Sequence, residues 1–246
     1  MAALLETTHL VKRFGGLVAA NDVSISVRAG EIRGLIGPNG AGKTTLVNLV
    51  TGIYPPTSGD IRLAGESLVG RKPHEVARRG LRRTFQVSRI FGNLTVHENL
   101  LVAYLARGAE ARAALAEGAA RAREFLDLTG LARLRDMPAK GLSGGQRALL
   151  QVACGFMAPD LKCYVLDEPF AGINPAIKDS IVDLILRANR SRGVTFVIVS
   201  HEMAVMRWLC DRISVLINGR VVGEGTLDEV VAREEVISAY LGKAWA

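Results

Sequence analysis

Aromatic residues make up only 5% of the 246 positions, and cysteine occupies only three of them. Few aromatics interrupt the basic stretch that contains Arg71, Lys72, Arg78, Arg79, Arg82, Arg83 and Arg89. This argues against a platform that stacks the bases of a single strand, and no nucleic-acid partner is expected. The stretch reads instead as a solvated basic face, with a face turned toward lipid or a protein partner as the competing reading. Cys154, Cys163 and Cys210 lie far apart, without metal-ligand spacing, each in apolar company. They read as reduced, packed thiols. Long hydrophobic runs are also missing. Val194 to Val199 is strand-length, far short of the roughly 20 residues that cross a bilayer. The opening MAALLETTHLVKRF has no basic region followed by an apolar stretch and a cleavage site, so a secretory signal is not expected and the cytosol is.

What the chain does have is a 49% hydrophobic composition, enough to bury a sizeable core in one large domain or one and a half ordinary ones. The formal net charge of +7 does not choose among partners by itself. Strand patterns are expected at Leu4 to Leu10, Val23 to Val27 and Ile32 to Ile36, the last reached through the turn Arg28, Ala29, Gly30. A helix with apolar residues at helical spacing follows over Lys43 to Val50 and stops at Gly52. Between Gln86 and Pro159 the pattern turns helical: Thr95 and Glu98 form a capping box, and an Ala/Arg/Glu-rich stretch continues to Arg123. Strand signals return at Cys163 to Leu166 and Val194 to Val199, with a helix starting at Asn174 and Pro175 between them. This α/β alternation implies a parallel sheet covered by helices. Ile213 to Ile217 and Val221 to Val222, joined by Asn218 and Gly219, read as a hairpin, and one final helix opens at the capping box Thr226 and Glu229.

Three strings carry chemistry. GPNGAGKT, Gly37 to Thr44, fits the phosphate-binding loop pattern of glycine, four residues, glycine, lysine and a hydroxyl residue. Glycines let successive backbone N–H groups curl around a phosphate, the following helix points its positive end at the same anion, and Lys43 adds a point charge. Thr44 is expected to offer its hydroxyl to Mg²⁺. CYVLDE, Cys163 to Glu168, is an apolar strand that delivers two carboxylates at its carboxyl end, where ligands of open α/β sheets gather. Asp167 is expected to hold Mg²⁺ through water, and Glu168 to orient and polarise an attacking water for phosphoryl transfer. In LSGGQ, Leu142 to Gln146, Ser143 reads as a helix N-cap with Gln146 at the capping-box position. A helix start prefaced by Ser-Gly-Gly is a second anion site.

A phosphate loop, LSGGQ and a strand ending in Asp-Glu, in that order, resemble the nucleotide-binding subunit of an ATP-binding cassette (ABC) transporter, over nearly the whole chain. The resemblance implies an α/β fold: a P-loop NTPase core of the ABC type, with a mixed sheet, helices on both its faces, an N-terminal antiparallel β subdomain and an inserted α-helical subdomain. It implies a division into 1–86 and 159–225 as the two parts of the ATP-binding core, 87–158 as the helical subdomain ending in the LSGGQ helix, and 226–246 as a helical tail. ATP and Mg²⁺ are the implied cofactors. The ATP-binding residues would be Phe14, stacking on adenine, and Gly37, Pro38, Asn39, Gly40, Ala41, Gly42, Lys43, Thr44 and Thr45; a core phenylalanine is the competing reading of Phe14. Gln86 would touch the Mg²⁺ and the water, and His201 would contact the γ-phosphate as the switch histidine. The family pairs two ATPase subunits head to tail, so Ser143, Gly144, Gly145 and Gln146 would close over ATP held by the other subunit, identical or related. Two transmembrane permease subunits, and indirectly a solute-binding protein, complete the implied assembly at the cytoplasmic face of the inner membrane. Where the family commonly has an aspartate in the loop that crosses the dimer interface, this chain has Asn174 in AGIN. Asparagine can still hydrogen-bond and cap the next helix, with one charge fewer.

KRFGGLVAANDVSISV, TFQVSRIFGNLTVHENLLVA, LDEPFAGINP and the closing AYLG resemble the ATPases of branched-chain amino acid importers. The implied function is hydrolysis of ATP to energise import of branched-chain or related amino acids. A lipid or lipopolysaccharide exporter ATPase is the second reading, and a non-transport ABC ATPase a third. A nucleotide kinase would leave LSGGQ and His201 without a role.

Overall fold

The computed structural model of the protein describes residues 3–105 and 111–241. Residues 106–110, within the Ala/Arg/Glu-rich stretch, and residues 242–246 lie outside the described residues. In chain order the elements are β1 Ala3–Phe14, β2 Leu17–Arg28, β3 Ile32–Ile36, α1 Lys43–Val50, β4 Ser58–Leu63, β5 Glu66–Ser67, α2 Pro73–Arg78, β6 Leu81–Arg83, α3 Val96–Leu105, α4 Ala111–Leu128 and α5 Gly144–Phe156. The second half adds β7 Cys163–Asp167, α6 Pro175–Arg192, β8 Thr195–Val199, α7 Met203–Leu209, β9 Arg212–Ile217, β10 Arg220–Gly225, α8 Leu227–Val231 and α9 Glu234–Leu241.

The strands form two sheets: an antiparallel one in the order β2-β1-β4-β5, and a six-stranded one in the order β10-β9-β3-β8-β7-β6. Strands β9, β3, β8, β7 and β6 run parallel, and β10 closes the edge antiparallel. The local sequence explains the difference. Strands β3 and β7 are buried at every position, as parallel strands covered on both faces must be. The turn from β9 to β10 uses Asn218 and Gly219 at positive φ, 47° and 75°, the left-handed pair that a two-residue hairpin requires.

Two apolar cores result. One lies between the sheets and includes α1 through Leu46, Val47, Leu49 and Val50. The other joins the six-stranded sheet to α3, α4, α5 and α6 through Tyr104, Phe125, Phe156, Tyr164, Ile181 and Ile185. Gly155 makes the second core possible, because a Cβ there would stand 2.0 Å from the Tyr164 hydroxyl. That hydroxyl donates to the Val152 carbonyl at 3.1 Å and so ties β7 to α5. The Thr95 and Glu98 box closes reciprocally at 2.7 and 3.1 Å as expected. Among the described residues no helix is long and apolar enough to cross a membrane.

Three expectations need correction. The first strands run longer than their alternation implied, because β1 and β2 pair down to Phe14 opposite Leu17. The final helix is two: the Thr226 box holds, but α8 stops at Val231, where Arg233 turns back to donate to the Val222 and Glu224 carbonyls at 3.2 and 3.5 Å. The basic stretch is not uniformly solvated, since Arg82 faces Asp160 at 3.8 Å and Arg83 is buried against Asp167.

The cysteines are free, and burial pushes the thiols of Cys154, Cys163 and Cys210 up to about 12. At pH 8 such thiols are ionised to about one part in ten thousand, so a thiol reagent should label the folded chain about a thousandfold slower than the denatured chain. The comparison is made by absorbance with and without denaturant. A group that keeps its proton longer in the fold than in the unfolded chain loses stability as pH rises between the two pKa values. Stability should therefore fall as the pH climbs from about 9 toward 12.

Candidate functional site

The phosphate loop leaves β3 at Gly37 and enters α1 at Lys43. Its path depends on glycine at two close approaches. A Cβ on Gly37 would meet the Leu216 carbonyl at 2.1 Å, and one on Gly42, at φ 102°, would meet the Ala19 carbonyl at 2.4 Å. The hairpin turn braces the loop from behind: Gly219 N–H donates to the Ala41 carbonyl, and Asn21 N–H to the Gly219 carbonyl, each at 2.8 Å. Lys43 is buried and folds back over the loop, donating to the Gly37 and Pro38 carbonyls at 2.7 and 3.1 Å. Burial lowers its pKa, and the nearby charges of Glu168 and Asp167 oppose that shift.

Strand β7 ends at Asp167, and the chain then takes a left-handed turn at Glu168, φ 50°. Such a conformation is uncommon for a residue with a Cβ and collects at functional sites. Glu168 N–H donates to the Val199 carbonyl at 2.8 Å, which carries the β7–β8 ladder through the turn. The carboxylate thereby faces the end of β8, where His201 Nε2 lies 3.1 Å from Oε1 and the His201 N–H 3.4 Å from Oε2. Burial raises the Glu168 pKa, and His201 opposes the rise.

Asp167 is held differently. Its N–H donates to Thr84 Oγ1 at 3.0 Å, and its Oδ2 accepts from Arg83 at 2.9 Å. Arg83 also donates to Asn48 Oδ1 at 2.5 Å and to the Thr84 carbonyl at 2.9 Å. Burial raises the Asp167 pKa against the pull of Arg83. The two side chains are 9% and 4% exposed, so removing one partner strands a charge in a dry place. Arg83→Ala should cost about 3 kcal/mol of stability, read by denaturant unfolding. A double variant with Asp167→Asn should lose less than the sum of the two single changes.

A cavity of about 460 Å³ gathers Asn39 to Thr45, Gln86, Asp167, Glu168 and His201, with Leu17, Val18 and Ala19 along its rim. Most of the sequence-predicted site therefore converges. Phe14 does not line it. That ring is 41% exposed and packs edge-on against Tyr54 at 5.3 Å, with Lys12 Nζ 4.9 Å above it. Ser143 to Gln146 also stand outside it, at the start of α5, where Ser143 N–H donates to Gln146 Oε1 at 2.9 Å and Gln146 N–H to Ser143 Oγ at 3.2 Å. Gly144 lines a smaller neighbouring cavity of about 190 Å³ that also reaches Gln86, Asp167 and Glu168. Asn174 caps α6 as expected, its Oδ1 accepting from Ile177 N–H at 2.9 Å.

Two residues of the site were not foreseen. In the sequence Arg83 is one more cation of the basic stretch, and Gln151 belongs to no motif on α5. Both make their site contacts over more than sixty residues of sequence. The one local hint was polarity where the neighbours Leu150 and Val152 are buried.

The sequence profile described as "ABC transporter" matches residues 20–171. The high-affinity branched-chain amino acid transport ATP-binding protein LivG of Salmonella typhimurium is 39% identical over 98% of this chain and 98% of its own. The protein of the same description from Pseudomonas aeruginosa, BraF, is 37% identical over 98% of each. Among solved structures, the ADP conformation of an ATP-binding cassette of an ABC transporter superposes with a TM-score of 0.85 at 31% identity, covering 98% of this chain and 100% of that one. A dimeric post-hydrolysis cassette bound to ADP and Pi superposes with a TM-score of 0.81 at 25% identity, covering 91% and 99%.

Proposed function

This chain belongs to the ABC transporter family and is an ATP-hydrolysing subunit of it; on that premise we propose that it powers the import of branched-chain or related amino acids across the inner membrane. The functions named for its relatives support the choice of cargo. The observation that carries the mechanism is the convergence of Lys43, Thr44, Gln86, Asp167, Glu168 and His201 on one cavity at the carboxyl edge of the parallel strands.

In this reading Asn39 to Thr45 and the N-terminus of α1 cradle the phosphates, with Lys43 leaving its loop carbonyls to meet them. The Thr44 hydroxyl, the Gln86 side-chain oxygen and the Asp167 carboxylate are hard oxygen donors that suit Mg²⁺. When bound, the ion would neutralise charge on the phosphates. Glu168 accepts the proton of the attacking water, and its burial favours that role by making the carboxylate more basic. His201, exposed at the end of β8 and paired with Glu168, reaches the terminal phosphate. Phe14 stacks on adenine once the nucleotide brings the base over the β1–β2 turn.

Ser143 to Gln146 complete the site of a second ATPase subunit, an identical copy or a close relative, and the dimeric cassette similar to this chain supports such pairing. ATP then acts by shifting a population between open and closed pairs. One of the two permease subunits docks on the cleft of about 290 Å³ beside Phe85 and Arg89, near the exposed Val87 and Phe91, 79% and 58% accessible. The chain accordingly works as a peripheral subunit at the cytoplasmic face of the inner membrane. Purifying the tagged chain from its own membranes and identifying its companions tests this. Two permeases and an amino-acid-binding protein are expected; recovery of an envelope-lipid assembly would overturn the assignment of cargo.

A further inference from the structure

The cavity beside Glu168 and the cleft beside Arg89 share a wall made by Phe85 and Gln151. Gln151 lies on α5, the helix that opens with Ser143 to Gln146. Its side-chain amide is used at both ends: Nε2 donates to the Phe85 carbonyl at 2.9 Å, and Oε1 accepts from the Arg89 N–H at 2.7 Å. These two bonds bracket Gln86. The Phe85 ring is itself clasped between the Arg83 and Arg89 guanidiniums, 4.6 and 4.5 Å from its centroid. The loop that carries Gln86 is therefore stitched to α5 by one amide, and to Asp167 through Arg83.

We propose that Gln151 is a positioning residue that locks the Gln86 loop onto the LSGGQ helix, so that the two move as one body. When Ser143 to Gln146 engage a nucleotide held by the partner subunit, a tilt of α5 carries Gln86 with it toward or away from Glu168. A helix transmits such a tilt because its backbone is internally bonded, whereas a loop with only solvent contacts would lag behind. An amide is the side chain that the place demands, since it must meet a carbonyl at one end and an N–H at the other. Glutamate keeps the acceptor for Arg89 but turns an oxygen on the Phe85 carbonyl; leucine keeps the volume and neither bond.

The inference rests on the ATPase reading above, and the test separates the two. In the assembled transporter, Gln151→Leu should lower kcat for ATP about tenfold, the worth of one to two hydrogen bonds, with Gln151→Glu between it and the parent. Affinity for a fluorescent ATP analogue should stay within about twofold, because no bond to the phosphate loop is touched. Hydrogen exchange at residues 85–89 should quicken in both variants. A parental kcat in Gln151→Leu would overturn the proposal, and so would a loss of kcat matched by an equal loss of nucleotide affinity. If Gln151→Leu does not fold, Gln151→Glu decides in the same way. A parent complex without ATP turnover, or a Glu168→Gln variant with parental turnover, would instead fault the ATPase reading.

Discussion

Glu168→Gln should reduce ATP turnover by at least about a thousandfold while leaving nucleotide binding intact, and ATP-loaded pairs of subunits should accumulate. The size follows from what a positioned general base contributes to proton transfer together with the orientation of the water it holds. Glutamine preserves the shape, so the Val199 bond that carries the turn at φ 50° remains. What disappears is the proton acceptor. Stability should not suffer, because burial already disfavours the charged form at this position and the amide removes that charge. Phosphate release and gel filtration with and without ATP measure both halves of the expectation. Hydrolysis at the parental rate would refute the base; a dead variant that stays single with ATP would refute the trapped closed pair.

What could be read in the sequence followed from physics confined to a few neighbouring residues. The capping boxes at Thr95, Ser143 and Thr226 close within three residues, and the Asn218-Gly219 turn within two. The phosphate loop was legible as a spacing pattern over eight residues, although the Leu216 and Ala19 carbonyls that its glycines make room for are distant in sequence. The alternation of strand and helix signals announced a parallel sheet. Contacts made across the fold were not visible. Arg83 looks like any other member of a basic run until β6 pairs with β7 and sets it beside Asp167. The break after α8 depends on carbonyls of β10 that only tertiary packing brings to Arg233. The left-handed backbone at Glu168 had no signal either, because glycine, the usual mark of such a turn, is absent there.

Ser143 to Gln146 do not line the phosphate-loop cavity of their own chain, and this yields the second prediction. Lys43→Ala removes the point charge on the phosphates, and Ser143→Arg puts bulk and charge where the partner's nucleotide should rest. Each variant alone should lose more than about a hundredfold in turnover, the first with ATP binding and the second without it. Losing the Ser143 cap should cost only about 1 kcal/mol, so the second chain still folds, as a thermal melt would verify. In a head-to-tail pair of the two variants, both defects fall in the same composite site and the other site is complete. With random pairing half the dimers are mixed, and each has one sound site, so an equal mixture should regain about a quarter of parental turnover. Recovery is possible only if each ATP is held by two subunits. A mixture as inactive as its parts, with both chains folded and pairing, would mean that Ser143 to Gln146 serve their own chain's nucleotide or none.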